Sequence, residues 1–176
     1  MPRMPASNSP DRPPVTQPKA AQPAQAARTP LAVAGESCSR SVRLSRQDIA
    51  TFAQLSGDSN PLHHDARAAQ RARHGEIIVS GQHSTSLLIG LVSSHFSRPD
   101  AAFGRELLWL NVNFAFKAPL FAEQLVELHW RVASLEWHAK LAGLLAHVDG
   151  RAGVHHTRPA VVGRGVLLLR ELPPSL

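Results

Sequence analysis

The C-terminal part of the chain holds four segments in which apolar and polar side chains alternate, and this pattern limits the possible folds more than any other feature. The segments are residues 108–116, 125–135, 140–148 and 160–169, with Asp149-Gly150 as turn residues between the last two. Alternation with a period of two is typical of strands that bury one face. Strands at such short spacing favour an antiparallel sheet.

Helix-like segments precede these strands. Ser45-Arg46-Gln47-Asp48 has the hydroxyl cap and the acid three positions later that begin a helix, and Gly57 is a natural stop. Asp65 can cap a short second helix, and a longer helix is expected from Ser80-Gly81 to about Phe96. Weak alternation at residues 41–44 predicts a short strand. Helices followed by a run of strands predict an α+β fold.

The first 36 residues differ in composition from the rest. Eight of the 14 prolines lie in the first 30 residues, mixed with Ala, Gln and Ser. Such a stretch cannot bury enough apolar surface to offset its ordering entropy. We therefore predict a disordered leader over residues 1–36 and one folded domain over residues 37–176.

Composition excludes several classes of protein. No apolar run approaches the roughly 18 residues that span a bilayer, so no membrane segment is expected. The single cysteine, Cys38, cannot form an internal disulfide and fits a reducing compartment, so we expect a cytoplasmic protein. Half of the net charge of +6 lies in the first 30 residues, and the remaining basic residues are scattered. Nucleic-acid binders concentrate such charge on one face, so no nucleic-acid partner is predicted.

The loop after the first predicted helix carries the most chemically informative residues. Asp58 and His63 are five positions apart in Ser56-Gly57-Asp58-Ser59-Asn60-Pro61-Leu62-His63-His64-Asp65. Pro61 fixes its own φ and pushes Asn60 toward an extended conformation. A rigid loop of this kind could aim a carboxylate and an imidazole at one point, as acid–base work on a water molecule requires.

The same loop allows two other interpretations. Asp58 can cap the turn, with His63 an ordinary loop histidine, and spacing alone favours this structural role. His63, His64 and Asp65 also carry metal-ligating atoms, but adjacent residues rarely converge on one ion, so no metal site is predicted.

Residues 52–65 resemble the hydratase motif of MaoC-like proteins, which include the (R)-specific enoyl-CoA hydratases. The family pattern is close to Asp-x-Asn-Pro-x-His-x-Asp, and every fixed position is present. Ile77-Ile78-Val79-Ser80-Gly81 is similar to the family's Ile-Val-His-Gly segment, which opens a long helix. Residues 112–121 resemble the strand ending in Phe-Lys/Arg-x-Pro-Val. The resemblance covers roughly residues 40–170.

This resemblance implies a hotdog fold, in which an antiparallel sheet wraps around one long helix, here about residues 81–96. Hotdog domains commonly pair, so a homodimer is expected. The implied substrate is an acyl-CoA or an acyl-carrier-protein thioester, bound near the subunit boundary.

The resemblance also implies roles for particular residues. Asp58 and His63 would activate a water that adds across the double bond of a trans-2-enoyl thioester. The backbone N–H of Gly81 would polarise the thioester carbonyl. The candidate substrate-binding residues are Asn60, Ser80 and Gln82. Bracing of the loop is the favoured alternative for Asn60. The reaction requires no metal or redox cofactor.

Departures from the family pattern keep other functions open. Ser80 stands where the family usually has His, Gln82-His83 replaces more apolar residues, and Ile89 falls where several hydratases carry Ser. A hotdog acyl-CoA thioesterase and a non-catalytic acyl-CoA-binding module are the alternatives. Thioesterases of this fold typically use a carboxylate on the long helix, and residues 81–96 contain no Asp or Glu. Hydration or dehydration is therefore the expected activity.

Overall fold

The structure, a computed structural model, describes residues 30–98 and 104–172. Its strands are β1 (Ser37–Arg43), β2 (Arg105–Phe116), β3 (Leu125–His138), β4 (Gly143–Val154) and β5 (Val161–Glu171). Its α-helices are α1 (Arg46–Ser56), α2 (Ala66–Arg71) and α3 (Gly81–Phe96). Two short 3-10 turns lie at Pro61–His63 and Ala139–Leu141.

The five strands form one antiparallel sheet in the order β1-β3-β4-β5-β2, and α3 packs against four of them. Leu88, Val92 and Phe96 of α3 meet Leu128 and Trp130 of β3 in the core. Packing this helix against one face of the sheet removes apolar side chains of both from water. The predicted α+β class and the hotdog arrangement of a sheet around a central helix are confirmed.

The helix starts follow the capping residues seen in the sequence. Ser45 and Asp48 form a reciprocal capping box at α1, and Gly57 ends that helix with φ of 70°. Asp65 accepts two N–H groups at the start of α2, and Ser80 caps α3. None of these helices, within the described ranges, is long and apolar enough to cross a membrane.

The predicted turn at Asp149-Gly150 is wrong, because both residues lie inside β4. Asp149 sits opposite Arg131 and Arg164 on the polar face of the sheet, and its carboxylate lies 3.4 Å from the Arg164 guanidinium. Gly150 pairs with Gly163 of β5. A strand tolerates Asp and Gly where the acid faces solvent and a glycine relieves crowding. The chain instead turns at Ala139–Leu141 and at residues 155–160.

Residues 30–36, which the sequence analysis assigned to the leader, contact the domain in this structure. Ala32 is buried, and the Gly35 N–H donates to the Val132 carbonyl. Glu36 contacts His95 of α3 at 2.6 Å. The rest of the predicted leader, residues 1–29, falls outside the described residues.

Candidate active site

The loop between α1 and α2 is held by its own polar side chains. The Asn60 N–H donates to Asp58 Oδ1 at 3.1 Å, and the Leu62 N–H donates to Asn60 Oδ1 at 3.1 Å. Asn60 is extended, with φ of −62° and ψ of 117°, as the following Pro61 requires. This arrangement starts the 3-10 turn at Pro61–His63 and fixes the direction of the imidazole.

Asp58 and His63 are brought together at the base of this loop. His63 Nε2 lies 3.5 Å from Asp58 Oδ2, and their side chains are 7% and 18% exposed. Asp58 therefore caps the turn with one oxygen and faces the imidazole with the other. The structural and chemical interpretations of this carboxylate are compatible, since each uses a different atom.

The second ring nitrogen of His63 contacts the Ile78 carbonyl at 2.8 Å. Because a carbonyl oxygen only accepts, Nδ1 carries the proton in this hydrogen bond. In the neutral imidazole, Nε2 then has a lone pair directed at Asp58 Oδ2. An ionised carboxylate is also an acceptor, so both atoms are satisfied either by one donor that bridges them from the side or by a second proton on Nε2.

The segment that supplies the Ile78 carbonyl is itself tied to two parts of the fold. The Ile78 N–H donates to the Leu62 carbonyl, and the Val79 N–H donates to the Leu120 carbonyl at 2.8 Å. The segment thus links the loop between α1 and α2 to the turn after β2. It also leads directly into α3.

The N-terminus of α3 lies beside this segment. Ser80 Oγ accepts the His83 N–H at 3.1 Å, and the Ser80 carbonyl accepts the Ser84 N–H. The first N–H groups of a helix have no partner four residues earlier. The backbone N–H groups of Gly81 and Gln82 can therefore donate to an acceptor from outside the helix, and they lie at the positive end of the helix dipole.

A cavity of about 770 Å³ opens in front of these groups. It is lined by residues of the loop, of α3 and of β2, among them His63, Gly81, Gln82, Arg73, Phe114 and Lys117. Gln82, Arg73 and Lys117 are exposed, whereas the inner wall is largely apolar. Asp58 does not line this cavity. It borders a separate groove of about 430 Å³ with Gly57 and His64.

The space above Gly81 is occupied by a side chain of this same protein. An ideal Cβ on Gly81 would lie 2.7 Å from Phe116 Cζ, which is too close for any larger residue unless the ring moves. The absence of a side chain on Gly81 thus leaves room for the Phe116 ring at the edge of the helix N-terminus.

The other candidate residues have mainly structural contacts. Ser80 is 2% exposed, and its hydroxyl caps α3 by accepting the His83 N–H. His64 Nε2 contacts the Ser59 carbonyl, and Asp65 caps α2. The Ala68 and Arg67 N–H groups hold the pKa of Asp65 below its ordinary value. Within residues 30–98 and 104–172, no group of three or more potential ligands is placed to hold a metal ion.

Sequence reasoning missed three contributors to the site. The Ile78 carbonyl has no signature in a side-chain pattern. Phe116 stands in the segment that carried the family resemblance, yet its position over Gly81 follows only from the fold. His83 is buried and stacks on Phe52 with ring centroids 4.2 Å apart.

The fold and this site define a hotdog domain whose polar chemistry lies at the N-terminus of its central helix. Residues 8–129 match the family described as MaoC like domain. Since this match spans more than half of the chain, the protein belongs to the MaoC-like family, as predicted.

Individual relatives agree with this assignment. The (R)-specific enoyl-CoA hydratase of Aeromonas caviae is 29% identical over 135 residues, which cover 77% of this chain and 93% of that protein. The 3-hydroxybutyryl-CoA dehydratase of Methylorubrum extorquens is 27% identical over 92 residues, or 52% of this chain and 55% of that protein. A solved structure of the (R)-hydratase from A. caviae involved in PHA biosynthesis has a TM-score of 0.67 at 27% identity. It covers 77% of this chain and 96% of that one.

Proposed function

We propose that this protein is an enoyl-thioester hydratase, which adds water to a trans-2-enoyl-CoA or the corresponding acyl-carrier-protein thioester and catalyses the reverse dehydration. Membership of the MaoC-like family and the names of the two relatives support this reaction class. The 3.5 Å approach of Asp58 Oδ2 to His63 Nε2 is the observation that carries the proposal.

Two facing acceptors define a place for water. With Nδ1–H committed to the Ile78 carbonyl, neutral His63 and ionised Asp58 each need a donor. One water molecule has two protons and can donate one to each group. Its oxygen lone pairs are then free to attack carbon, which is the geometry that general-base catalysis requires.

The proposed reaction uses these two groups in turn. As His63 Nε2 takes a proton from the water, the water oxygen bonds to C3 and the double-bond electrons move toward C2 and the thioester oxygen. Asp58 orients the water and stabilises the imidazolium that forms. Return of the proton from Nε2 to C2 completes the net addition of water and restores the starting imidazole.

The negative charge that develops on the thioester oxygen needs donors. We assign this role to the N–H of Gly81, at the positive end of α3. Preorganised donors of this kind contribute about 10²–10³ to kcat where one has been removed. For the oxygen to reach this N–H, the acyl group must lie alongside the Phe116 ring.

We assign the remaining candidates by what they contact. Asn60 and Ser80 are committed to internal hydrogen bonds, so we propose that both position the reacting groups. Gln82 is exposed in the cavity and is our candidate for contact with the substrate. Arg73 and Lys117 supply positive charge on the exposed side, which suits the phosphate groups of a carrier.

The test is a direct assay of purified full-length protein with trans-2-enoyl-CoA, following loss of the conjugated enoyl absorbance. Asp58→Asn and His63→Ala should each lower kcat/KM by about 10²–10⁴, because each removes one half of the acid–base pair. Asp149→Asn is a matched control for Asp58→Asn, since Asp149 lies on the polar face of the sheet and faces Arg164; His64→Ala is the matched control for His63→Ala, since the His64 ring contacts the Ser59 carbonyl and not the Ile78 carbonyl. Both should retain near-wild-type activity.

Three results would overturn the proposal. Undiminished activity of Asp58→Asn and His63→Ala would reject the mechanism. Release of free CoA thiol without hydration would identify a thioesterase. Tight binding of acyl-CoA with neither product would identify a binding module.

A further inference from the structure

Phe114 lines two cavities and lies between them. One is the cavity of about 770 Å³ in front of His63 and Gly81, called here the catalytic cavity, and the other is much smaller. This second cavity, called here the inner pocket, has a volume of about 20 Å³. It is lined by Leu88, Ile89 and Val92 of α3 and by Trp109, Phe114 and Trp130 of the sheet. The inner pocket therefore lies between the helix and the sheet, directly behind the Phe114 ring.

An irregularity in β2 places Phe114 there. The pairing of β2 with β5 shifts register between Trp109 and Asn111, which marks a bulge. Residues 109 and 114 are an odd number of positions apart and would lie on opposite faces of a regular strand. The extra residue returns both aromatic rings to the face that meets α3.

Two glycines of β5 make room for these rings. An ideal Cβ on Gly163 would lie 2.2 Å from Phe114 Cδ1, and one on Gly165 would lie 2.5 Å from Trp109 Cζ3. The rings consequently lie against the backbone of the neighbouring strand. Trp109 is also anchored, since its Nε1–H donates to Ser93 Oγ of α3 at 3.0 Å.

We propose that Phe114 closes the acyl end of the catalytic cavity and restricts the enzyme to short-chain enoyl thioesters. This inference rests on the proposed function and adds the substrate class. Beyond the ring, the inner pocket has room for about one water-sized group. Its walls include Leu88, Val92 and Trp130, which are fully packed core residues that yield little.

Removing the ring would join the two cavities. Phe114→Ala should extend the apolar path into the inner pocket, where each additional buried methylene favours binding by about fourfold. Two further methylenes that become buried would then raise the preference by roughly tenfold or more. Phe114→Leu, which keeps an apolar side chain but loses the flat ring, should give a smaller shift in the same direction.

The experiment measures kcat/KM for a series of trans-2-enoyl-CoA substrates of increasing even chain length, beginning with four carbons. Wild-type protein should prefer the shortest members and lose activity steeply along the series. Phe114→Ala and Phe114→Leu should flatten this profile by raising the ratio of the longer to the shorter substrates. Asn113→Ala, a truncation of the exposed neighbouring residue on the opposite face of the strand and outside both cavities, should leave the profile unchanged.

The outcomes are distinguishable. Equal wild-type activity across the series would overturn this inference while leaving the hydratase proposal intact. A profile that keeps its shape in Phe114→Leu would also overturn it, even if Phe114→Ala failed to fold. Absence of hydration at every chain length would overturn both proposals together.

Discussion

Ser80 offers the sharpest distinction between a residue that touches substrate and one that positions the site. Its hydroxyl accepts the His83 N–H at 3.1 Å within a site that is 2% exposed. Ser80→Ala would leave that donor without a partner in a place that water does not reach. Loss of a capping side chain costs about 0.5–2 kcal/mol, and a buried unpaired donor about 1–3 kcal/mol. The two figures describe the same lost contact, so we expect the free energy of unfolding to fall by about 1–2 kcal/mol.

The same change should lower catalysis through the helix end. The first turn of α3 carries the Gly81 N–H, and Ser80 is the residue that holds this turn in place. We expect Ser80→Ala to reduce kcat more than it changes KM, because the oxyanion donor is displaced while the cavity walls are unchanged. Ser80→Thr keeps the hydroxyl and should restore both stability and kcat.

The test measures the free energy of unfolding by urea titration, and kcat and KM by steady-state kinetics, for both variants. A positioning role requires the losses of stability and kcat to appear together in Ser80→Ala and to be reversed together in Ser80→Thr. A large increase in KM with wild-type stability would instead show that the hydroxyl contacts substrate. That result would refute the assignment of Ser80 to the cap.

Two further predictions concern stability and assembly. Burial lowers the pKa of His83 from its ordinary value. Below about pH 6.5 the His83 side chain therefore becomes protonated in the unfolded chain before it does so in the folded protein. The free energy of unfolding should therefore fall by up to about 1.4 kcal/mol per pH unit on acidification. Urea titrations between pH 5 and pH 8 should show a smaller slope for His83→Phe, and an unchanged slope would contradict this. Leu108, Leu110 and Val112 are 45%, 48% and 41% exposed on β2, an edge strand, and we propose that this apolar edge pairs with a second copy. Light scattering should report a dimer for the wild type and a smaller mass for Leu110→Glu, and a monomeric wild type would reject the homodimer.

Features set by local chemistry could be predicted from the sequence. The capping box at Ser45 and Asp48, the glycine stop at Gly57 and the start of α3 all depend on residues within one helical turn. The five-residue spacing of Asp58 and His63 belongs to the same category, because Pro61 and short polar side chains determine the path of the loop. Each of these interactions is complete within a few residues.

Features set by pairing between strands could not be predicted. Asp149-Gly150 has the composition of a turn, and only its neighbours in β3 and β5 keep it in a strand. The bulge after Trp109 has no clear residue signal, yet it decides which face of the sheet carries Phe114. Turn propensity does not decide the local structure where packing between strands stabilises the extended chain by more than the turn would.

The connector at residues 77–79 explains why the candidate site exists as a unit. Taken by itself it is a brief apolar run, without a side chain that performs chemistry. In the fold, the Ile78 N–H donates to the Leu62 carbonyl and the Ile78 carbonyl accepts from His63, so the two backbone polar groups of this one residue hold the loop that carries His63. The Val79 N–H binds the Leu120 carbonyl, and the next residue caps α3. Because the imidazole and the helix N-terminus are attached to the same short segment, any shift of the segment would move both together and preserve their separation.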